Sequence, residues 1–473
     1  MRMREGALPV EGWRKNTVHT LEITGYTAEG MGAARLEGRV VFVPRVIQGE
    51  RWRVRLEKVN KNVAWGRGME LLSPSPERLE PDCPLFGRCG GCQFRHMAYE
   101  EELRAKAQRV QDALTRLGGT EPILSDILGA ENTLRYRNKV QFPVSQGKEG
   151  LAIGYYRPRS HQVLDAADCL LQPESVTRLR AAFRGWMERQ GVPAYEEGTG
   201  AGLVRHLYLR TNSRGEALAC VVSNGDRLPG EGELVEALRG AEPALAGVVL
   251  NTNTRDTNVI LGERYRVLWG RDWLEEELCG LGFRLSVPSF FQINRAQTQR
   301  LYQIALDFAQ LTGTETVLDL YCGIGTISLA LARRAGRVIG AEIVPQAVED
   351  ARENAARNGV SNVEFFCGDA GAVAAKLAEE GIRPQVICVD PPRKGLGPEA
   401  PAILAGMGPE RIVYVSCDPA TLARDVRSFG ELGYRAVEAR GVDLFPRTAH
   451  VETVVCLSKY KEDSLAFISG EKE

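Results

Sequence analysis

A chain of 473 residues is about three times the ~150-residue span typical of a single domain, so two or three domains are expected. Its 60 Lys and Arg against 61 Asp and Glu leave a net charge of −1, which excludes an overall basic nucleic-acid coat but not a local basic patch. With 44% hydrophobic and 26% charged residues, the composition excludes a disordered or collagen-like chain. No apolar run approaches the ~18 residues of a membrane helix. The opening MRMREGALPVEGWRKN lacks the apolar stretch of a secretory signal, so the cytoplasm is the expected compartment. Eleven cysteines are many for such a protein, and an odd number argues against a complete disulfide framework.

Residues 13–68 hold eleven Lys and Arg against five acids, a net charge of +6. Here Trp52, Val54 and Leu56 alternate with Arg51, Arg53 and Arg55, while Val40-Val41-Phe42-Val43 reads as a more buried strand. Turn signals at Glu29-Gly30-Met31-Gly32, Glu37-Gly38 and Gln48-Gly49 divide the segment into about five short strands, which predicts a small closed barrel of the OB type. A row of arginines on one face suits a phosphate backbone, and equally an ordinary solvated face. The proline-rich LLSPSPERLEPDCP reads as a linker, and Met97–Leu117 as an amphipathic helix ended by Gly118-Gly119. From about 134 to 285 the texture is mixed, with strands at Lys139–Val144, Val204–Arg210, Leu218–Ser223 and Val248–Asn253 and a helix at Ser175–Gln190.

After about residue 286, strands alternate with helices. The strands are Thr316–Leu320, Val338–Glu342, Val363–Cys367, Val386–Asp390 and Ile412–Cys417, with helices such as Pro345–Asn358 and Pro419–Leu432 between them. That alternation predicts a doubly wound parallel sheet with its site at the strands' C-terminal ends. The first strand runs into Asp319-Leu320-Tyr321-Cys322-Gly323-Ile324-Gly325-Thr326, and Glu342 ends the second. A Gly-x-Gly turn brings backbone close to a ligand, and an acid nineteen residues on can accept from ribose hydroxyls. The further glycine of a dinucleotide fingerprint is missing, which favours a nucleoside-type cofactor such as S-adenosylmethionine over NAD.

The fourth strand ends in Asp390-Pro391-Pro392-Arg393-Lys394-Gly395, whose prolines stiffen the loop and hold the acid at its rim. Amino-methyltransferases carry an aromatic residue where Arg393 stands, which argues against an exocyclic amine as the target. Val415-Ser416-Cys417-Asp418-Pro419 puts a thiol at a strand end just before a helix, where the helix dipole favours thiolate. Cys388 and Cys456 read instead as small core residues. In Ala449-His450-Val451-Glu452-Thr453, alternation puts His450 and Glu452 on one face, and alone Glu452 reads as a surface acid.

Together, DLYCGIGT, DPPRKG, VSCDP and HVET, preceded by SFFQIN at 289–294, resemble the RNA uracil-5-methyltransferase family. The 13–68 barrel resembles that family's TRAM domain, and CPLFGRCGGCQF its iron–sulfur motif. The resemblance implies a multidomain α/β protein. Its parts would be a TRAM barrel over 13–72, a central α+β iron–sulfur and RNA-contacting domain over 73–285, and a Rossmann-like methyltransferase domain over 286–473. It also implies Cys417 as nucleophile, Glu452 as base, and Gln292, Tyr321, Glu342 and Asp390 as S-adenosylmethionine contacts. The subgroup it suggests acts on bacterial 23S ribosomal RNA, with RNA as the partner and neither DNA nor membrane expected. A tRNA uridine methyltransferase and a non-catalytic RNA-binding iron–sulfur protein are the alternatives.

Cys83, Cys89 and Cys92 are spaced C-x5-C-x2-C around Gly90-Gly91, a loop able to turn several thiolates toward one centre. Spacing alone leaves zinc and iron–sulfur both open. The resemblance implies a [4Fe-4S] cluster with Cys169 as the distant fourth ligand.

Overall fold

The computed structural model describes residues 13–147 and 150–460, so the signal-free reading of residues 1–12 falls outside it. The chain divides into two compact units. One runs up to Arg109 and includes Arg447–Ala449; the other comprises Val110–Pro446 and the residues from His450 on.

In the first unit, β1 (Val18–Tyr26), β2 (Gly32–Leu36), β3 (Arg39–Val43), β4 (Arg51–Val59) and β5 (Val63–Ser73) close into a barrel in the order β1-β2-β3-β5-β4. Closure leaves no unpaired sheet edge. Leu21, Ile23, Ala34, Val41, Val43, Val54, Leu56 and Ala64 fill the interior. The run Val40–Val43 does not bury as a block. Val41 and Val43 point inward while Val40 and Phe42 stay partly exposed, because a barrel wall has only one buried face. Nor is the proline-rich stretch a free linker. The buried Glu50 carboxylate accepts from Arg78 Nη2 at 2.7 Å, Trp52 Nε1 at 2.8 Å and the amides of Ile47 and Ser75, which pins residues 75–78 to the barrel. Beyond it, α1 (Tyr99–Arg116) contributes Glu102, which accepts from Lys106 Nζ and from the Arg447 amide, both at 2.7 Å.

In the second unit, β6 (Leu124–Leu128) is followed by β7 (Lys139–Gly147), β8 (Gly150–Tyr156), β9 (Val163–Asp165), α2 (Glu174–Gln190), β10 (Val204–Thr211), β11 (Ala217–Ser223), α3 (Glu231–Ala241), β12 (Leu245–Thr252) and β13 (Arg264–Gly270). Seven of these strands form a sheet ordered β13-β12-β11-β10-β7-β8-β9. Phe183 and Trp186 of α2 and Leu234 and Leu238 of α3 pack on one face of it against Phe142, Leu207, Leu209 and Val221. A hairpin of β14 (Trp273–Leu278) and β15 (Leu281–Ser286) leads into the last sheet.

That sheet contains β16 (Thr316–Leu320), β17 (Arg337–Glu342), β18 (Val363–Cys367), β19 (Val386–Val389), β20 (Arg411–Ser416), β21 (Tyr434–Val442) and β22 (Glu452–Lys459). Its order is β18-β17-β16-β19-β20-β22-β21-β6. The first five are parallel, and β22 runs antiparallel between β20 and β21. The strand β6, which the sequence reading did not foresee, adds the far edge by pairing parallel to β21. Crossover helices cover both faces. α4 (Arg295–Ala309), α5 (Thr326–Ala332) and α6 (Pro345–Arg357) pack on one side, and α7 (Ala370–Glu379), α8 (Ala400–Gly406) and α9 (Pro419–Glu431) on the other. Strands buried on both faces read as near-continuous apolar runs, which is why they stand out in the sequence. Among the described residues, no helix is long and apolar enough to cross a membrane.

Candidate active site

The parallel strands end at a cavity of about 690 Å³ in the second unit, within the ~300–1,000 Å³ range of small-molecule sites. Gln292, Tyr321, Glu342, Asp390, Cys417 and Glu452, which the sequence reading singled out, all line it. Phe290, Ile343, Val344, Asp350, Arg393, Phe445 and His450 line it too.

One side is the glycine turn. Gly323 and Gly325 have φ of 56° and 82°, and a Cβ at Gly323 would meet no atom within 4 Å, so bare backbone faces the cavity. Glu342 is held by the amides of Gly323, at 3.1 Å, and Val344, at 2.9 Å. Parallel register sets Leu320 beside Ala341 and Val389, which brings Tyr321, Glu342 and Asp390 out at one rim.

The other side joins β20 to β22. Antiparallel register pairs Ser416 with Thr453, so the next step places Cys417 opposite Glu452. A residue from the end of one strand thus meets a residue from the start of another. Phe445 precedes β22 on a loop whose Asp443 and Leu444 carbonyls accept from Gln297 and Asn294 of the α4 cap. His450 packs edge-on against Phe445, at 5.8 Å between ring centroids, and faces Arg393 Nη2 across 3.5 Å.

The DPPRKG loop is held from α9. Thr421 Oγ1 donates to the Arg393 carbonyl at 3.1 Å, and the Leu396 amide donates to the buried Asp425 at 2.8 Å. Gly395 bends the loop at φ 73°, and a Cβ there would lie 2.6 Å from Asp425 Oδ2. Gly395→Ala is therefore expected to displace Arg393, lower stability by about 1–3 kcal/mol and reduce turnover. Tm and kcat equal to wild type would show that this contact does not hold the loop.

Electrostatically the site is crowded with carboxylates. Burial raises Asp390 to about 7, and burial with Asp390 nearby raises Glu452 to about 8, against a lowering by Arg393. The thiolate expected of Cys417 from the helix dipole is corrected here. Burial, then Glu452 and Asp390, push its thiol up to about 11, and Arg393 only partly opposes them. Cys388 and Cys456 are buried core residues, at 1% and 4% exposure.

The cysteine loop lies in the first unit, where Cys83, Cys89 and Cys92 are partly buried and the Gly91 amide points at Cys89 Sγ from 3.3 Å. Cys169 lies in the second unit, where its carbonyl accepts from Arg135 at 3.1 Å. Among the described residues, no group of three or more His, Cys, Asp or Glu side chains is placed to hold a metal ion. The structure therefore lends no support to the expected [4Fe-4S] site on Cys83, Cys89, Cys92 and Cys169.

Of the lining residues not assigned in advance, Phe290 stood inside the quoted SFFQIN. Phe445 carries no local signal, because only the return of the chain through β21 and β22 brings it to the cavity.

A doubly wound sheet with a glycine turn after one strand, an acid ending the next and a thiol at a third strand's end is the frame of a methyltransferase. Residues 248–460 match the family described as tRNA (uracil-5-)-methyltransferase, and residues 12–67 match the TRAM domain. A Clostridium tetani protein described as an uncharacterized RNA methyltransferase is 42% identical over 94% of this chain and 97% of its own. A Halalkalibacterium halodurans protein so described is 41% identical over 94% and 97%. The crystal structure of Pyrococcus abyssi tRNA (uracil-54, C5)-methyltransferase in complex with S-adenosyl-L-homocysteine shares the fold, with a TM-score of 0.73 at 24% identity over 93% of this chain and 100% of that one. This chain belongs to the RNA methyltransferases, and its residues 248–460 carry the domain of the tRNA (uracil-5-)-methyltransferase family.

Proposed function

We propose that the protein methylates C5 of a uridine in 23S ribosomal RNA, using S-adenosylmethionine and a covalent adduct between Cys417 and C6 of the base. The observation that carries this reading is the register that sets Cys417 opposite Glu452 at one cavity. C5 of uracil is a poor nucleophile until the Cys417 thiol gives up its proton and adds at C6 as thiolate, which moves charge onto C5 and O4. C5 then takes the methyl group, Glu452 removes the C5 proton, and Cys417 leaves by elimination. Gln292, Tyr321, Glu342 and Asp390 would hold S-adenosylmethionine, which supplies an electrophilic methyl on a sulfonium. The bare Gly323 turn and the carboxylate beside it fit a nucleoside. The uridine has to leave its stack to reach a thiol inside a cavity.

The barrel supports an RNA substrate through its charge. Arg53 and Arg55 are ion-paired with Glu70 and Glu57, while Arg51, Lys58 and Arg67 stay exposed for phosphate. Within this proposal the segments 13–72, 73–285 and 286–473 serve as RNA-binding barrel, central RNA-contacting region and methyltransferase domain, in a cytoplasmic protein. The choice of 23S ribosomal RNA rests on the combination of barrel and cysteine motif. The family description favours a tRNA uridine as the second reading. Mapping 5-methyluridine in ribosomal RNA and tRNA from cells with and without the gene decides between them. A modification lost from 23S ribosomal RNA supports the first, and one lost only from tRNA overturns it.

The [4Fe-4S] reading rests on the spacing and the resemblance alone. Anaerobically purified full-length protein should then carry about four irons per chain. Absence of iron, or stoichiometric zinc, would remove the cluster from the proposal.

A further inference from the structure

Beside Phe290 of the cavity three cations gather, and among the described residues no ion pair to a carboxylate joins them. Lys139 opens β7 and is the cross-strand partner of Arg210 on β10, and Arg137 lies two residues before it. Burial, then Arg210 and Arg137, push the Lys139 ammonium down to about 8, and no acid counters them. Arg210 is 2% exposed and spends its donors on neutral oxygens, the Tyr208 hydroxyl at 2.8 Å and the Ser289 carbonyl at 2.5 Å. Arg137 Nε is buried and has no hydrogen-bond partner among the described residues.

Such a cluster is costly for the chain by itself. Like charges paired across strands repel, and a desolvated cation without a counter-charge loses hydration with no return. An anion would relieve both costs at once. The position says which anion. Lys139 Nζ lies 6.0 Å from the ring of Phe290, which is 65% exposed and lines the same cavity as Cys417 and Glu452. A uridine in that cavity carries its own backbone past this rim, and guanidinium and ammonium groups both bind phosphate through charge-assisted hydrogen bonds.

We propose that Lys139 and Arg137, with the buried charge of Arg210 behind them, form a docking site for a backbone phosphate of the substrate RNA, next to the uridine in the cavity. The site would fix the strand's register while the cavity takes the base, a division between positioning and base contacts general to nucleic-acid recognition. This rests on the reading that an RNA uridine occupies the cavity.

The test compares the full chain with its Lys139→Met variant in equilibrium binding to an oligouridine RNA, between about 50 and about 200 mM salt. Losing one phosphate contact to a single strand should make the slope of log K against log salt shallower by about 0.7. Affinity should fall about tenfold at low salt, the scale of one charge-assisted hydrogen bond. Affinity for S-adenosylmethionine should not change, and Lys139→Arg should restore the RNA slope. On an oligouridine with a neutral methylphosphonate backbone, variant and wild type should bind alike. An unchanged slope and affinity in Lys139→Met, or a difference that persists on the neutral backbone, would overturn the proposal. If Lys139→Met does not fold, Arg137→Gln is read by the same criteria. Because binding is measured without turnover, failure of the methylation reading would show as missing 5-methyluridine with the slope change intact.

Discussion

Replacing Cys417 with alanine is expected to abolish methyl transfer, by about 10⁴-fold or more, while leaving S-adenosylmethionine binding near wild type. The size of the effect follows from the chemistry. Without addition at C6, C5 carries almost no nucleophilic character. The selectivity follows from the layout. The residues proposed to hold the cofactor come from the SFFQIN segment and the ends of β16, β17 and β19, whereas Cys417 follows β20. The measurement pairs single-turnover transfer to RNA with cofactor binding by calorimetry. Substantial turnover in Cys417→Ala would refute covalent catalysis through this thiol. A loss of cofactor binding equal to the loss of rate would show that the cysteine serves the fold of the cavity instead.

Glu452→Gln should behave differently from a simple loss of activity. Glutamine keeps the shape of the side chain but cannot accept the C5 proton, so addition and methyl transfer proceed and elimination stalls. A protein–RNA adduct that survives denaturation should accumulate, visible as a slow band on a denaturing gel. In wild type, the step that depends on the Glu452 carboxylate should quicken as pH rises through about 8, because burial and Asp390 hold its proton on below that point. The Glu452→Gln variant should lose that rise. Near-normal activity with no adduct would assign the proton acceptor elsewhere.

Much of the fold was legible. Thr316–Leu320 and Val363–Cys367 are found with the bounds predicted, and Val386 and Pro419 open their elements as expected. Buried parallel strands announce themselves as unbroken apolar runs between glycines and helix caps, so local composition suffices. What depends on distant partners was not visible. The short Leu124–Leu128 has no alternation, and becomes a strand only because β21 offers an edge about 310 residues later. The linker reading of residues 71–84 failed because the buried Glu50 carboxylate, far upstream, captures Arg78.

The site shows the same division. Motifs located the thiol, the acids and the glycine turn, because each sits at the end of a strand the sequence displays. Their protonation was not legible. The helix dipole acting on Cys417 can be read from a cysteine two residues before a helix, but the opposing burial, and the carboxylates that open β22 and follow β19, cannot. The cysteine loop shows the converse limit, since spacing suggested a convergence that the described side chains do not make.

The antiparallel placement of β22 also bears on how the protein is made. Synthesis runs from the N-terminus, so Cys417 leaves the ribosome before the strand that carries Glu452. Without β22 between β20 and β21, the sheet would lack one internal strand and the thiol would have no Glu452 opposite it. Completing the sheet and placing the Glu452 carboxylate opposite the thiol are therefore one structural event.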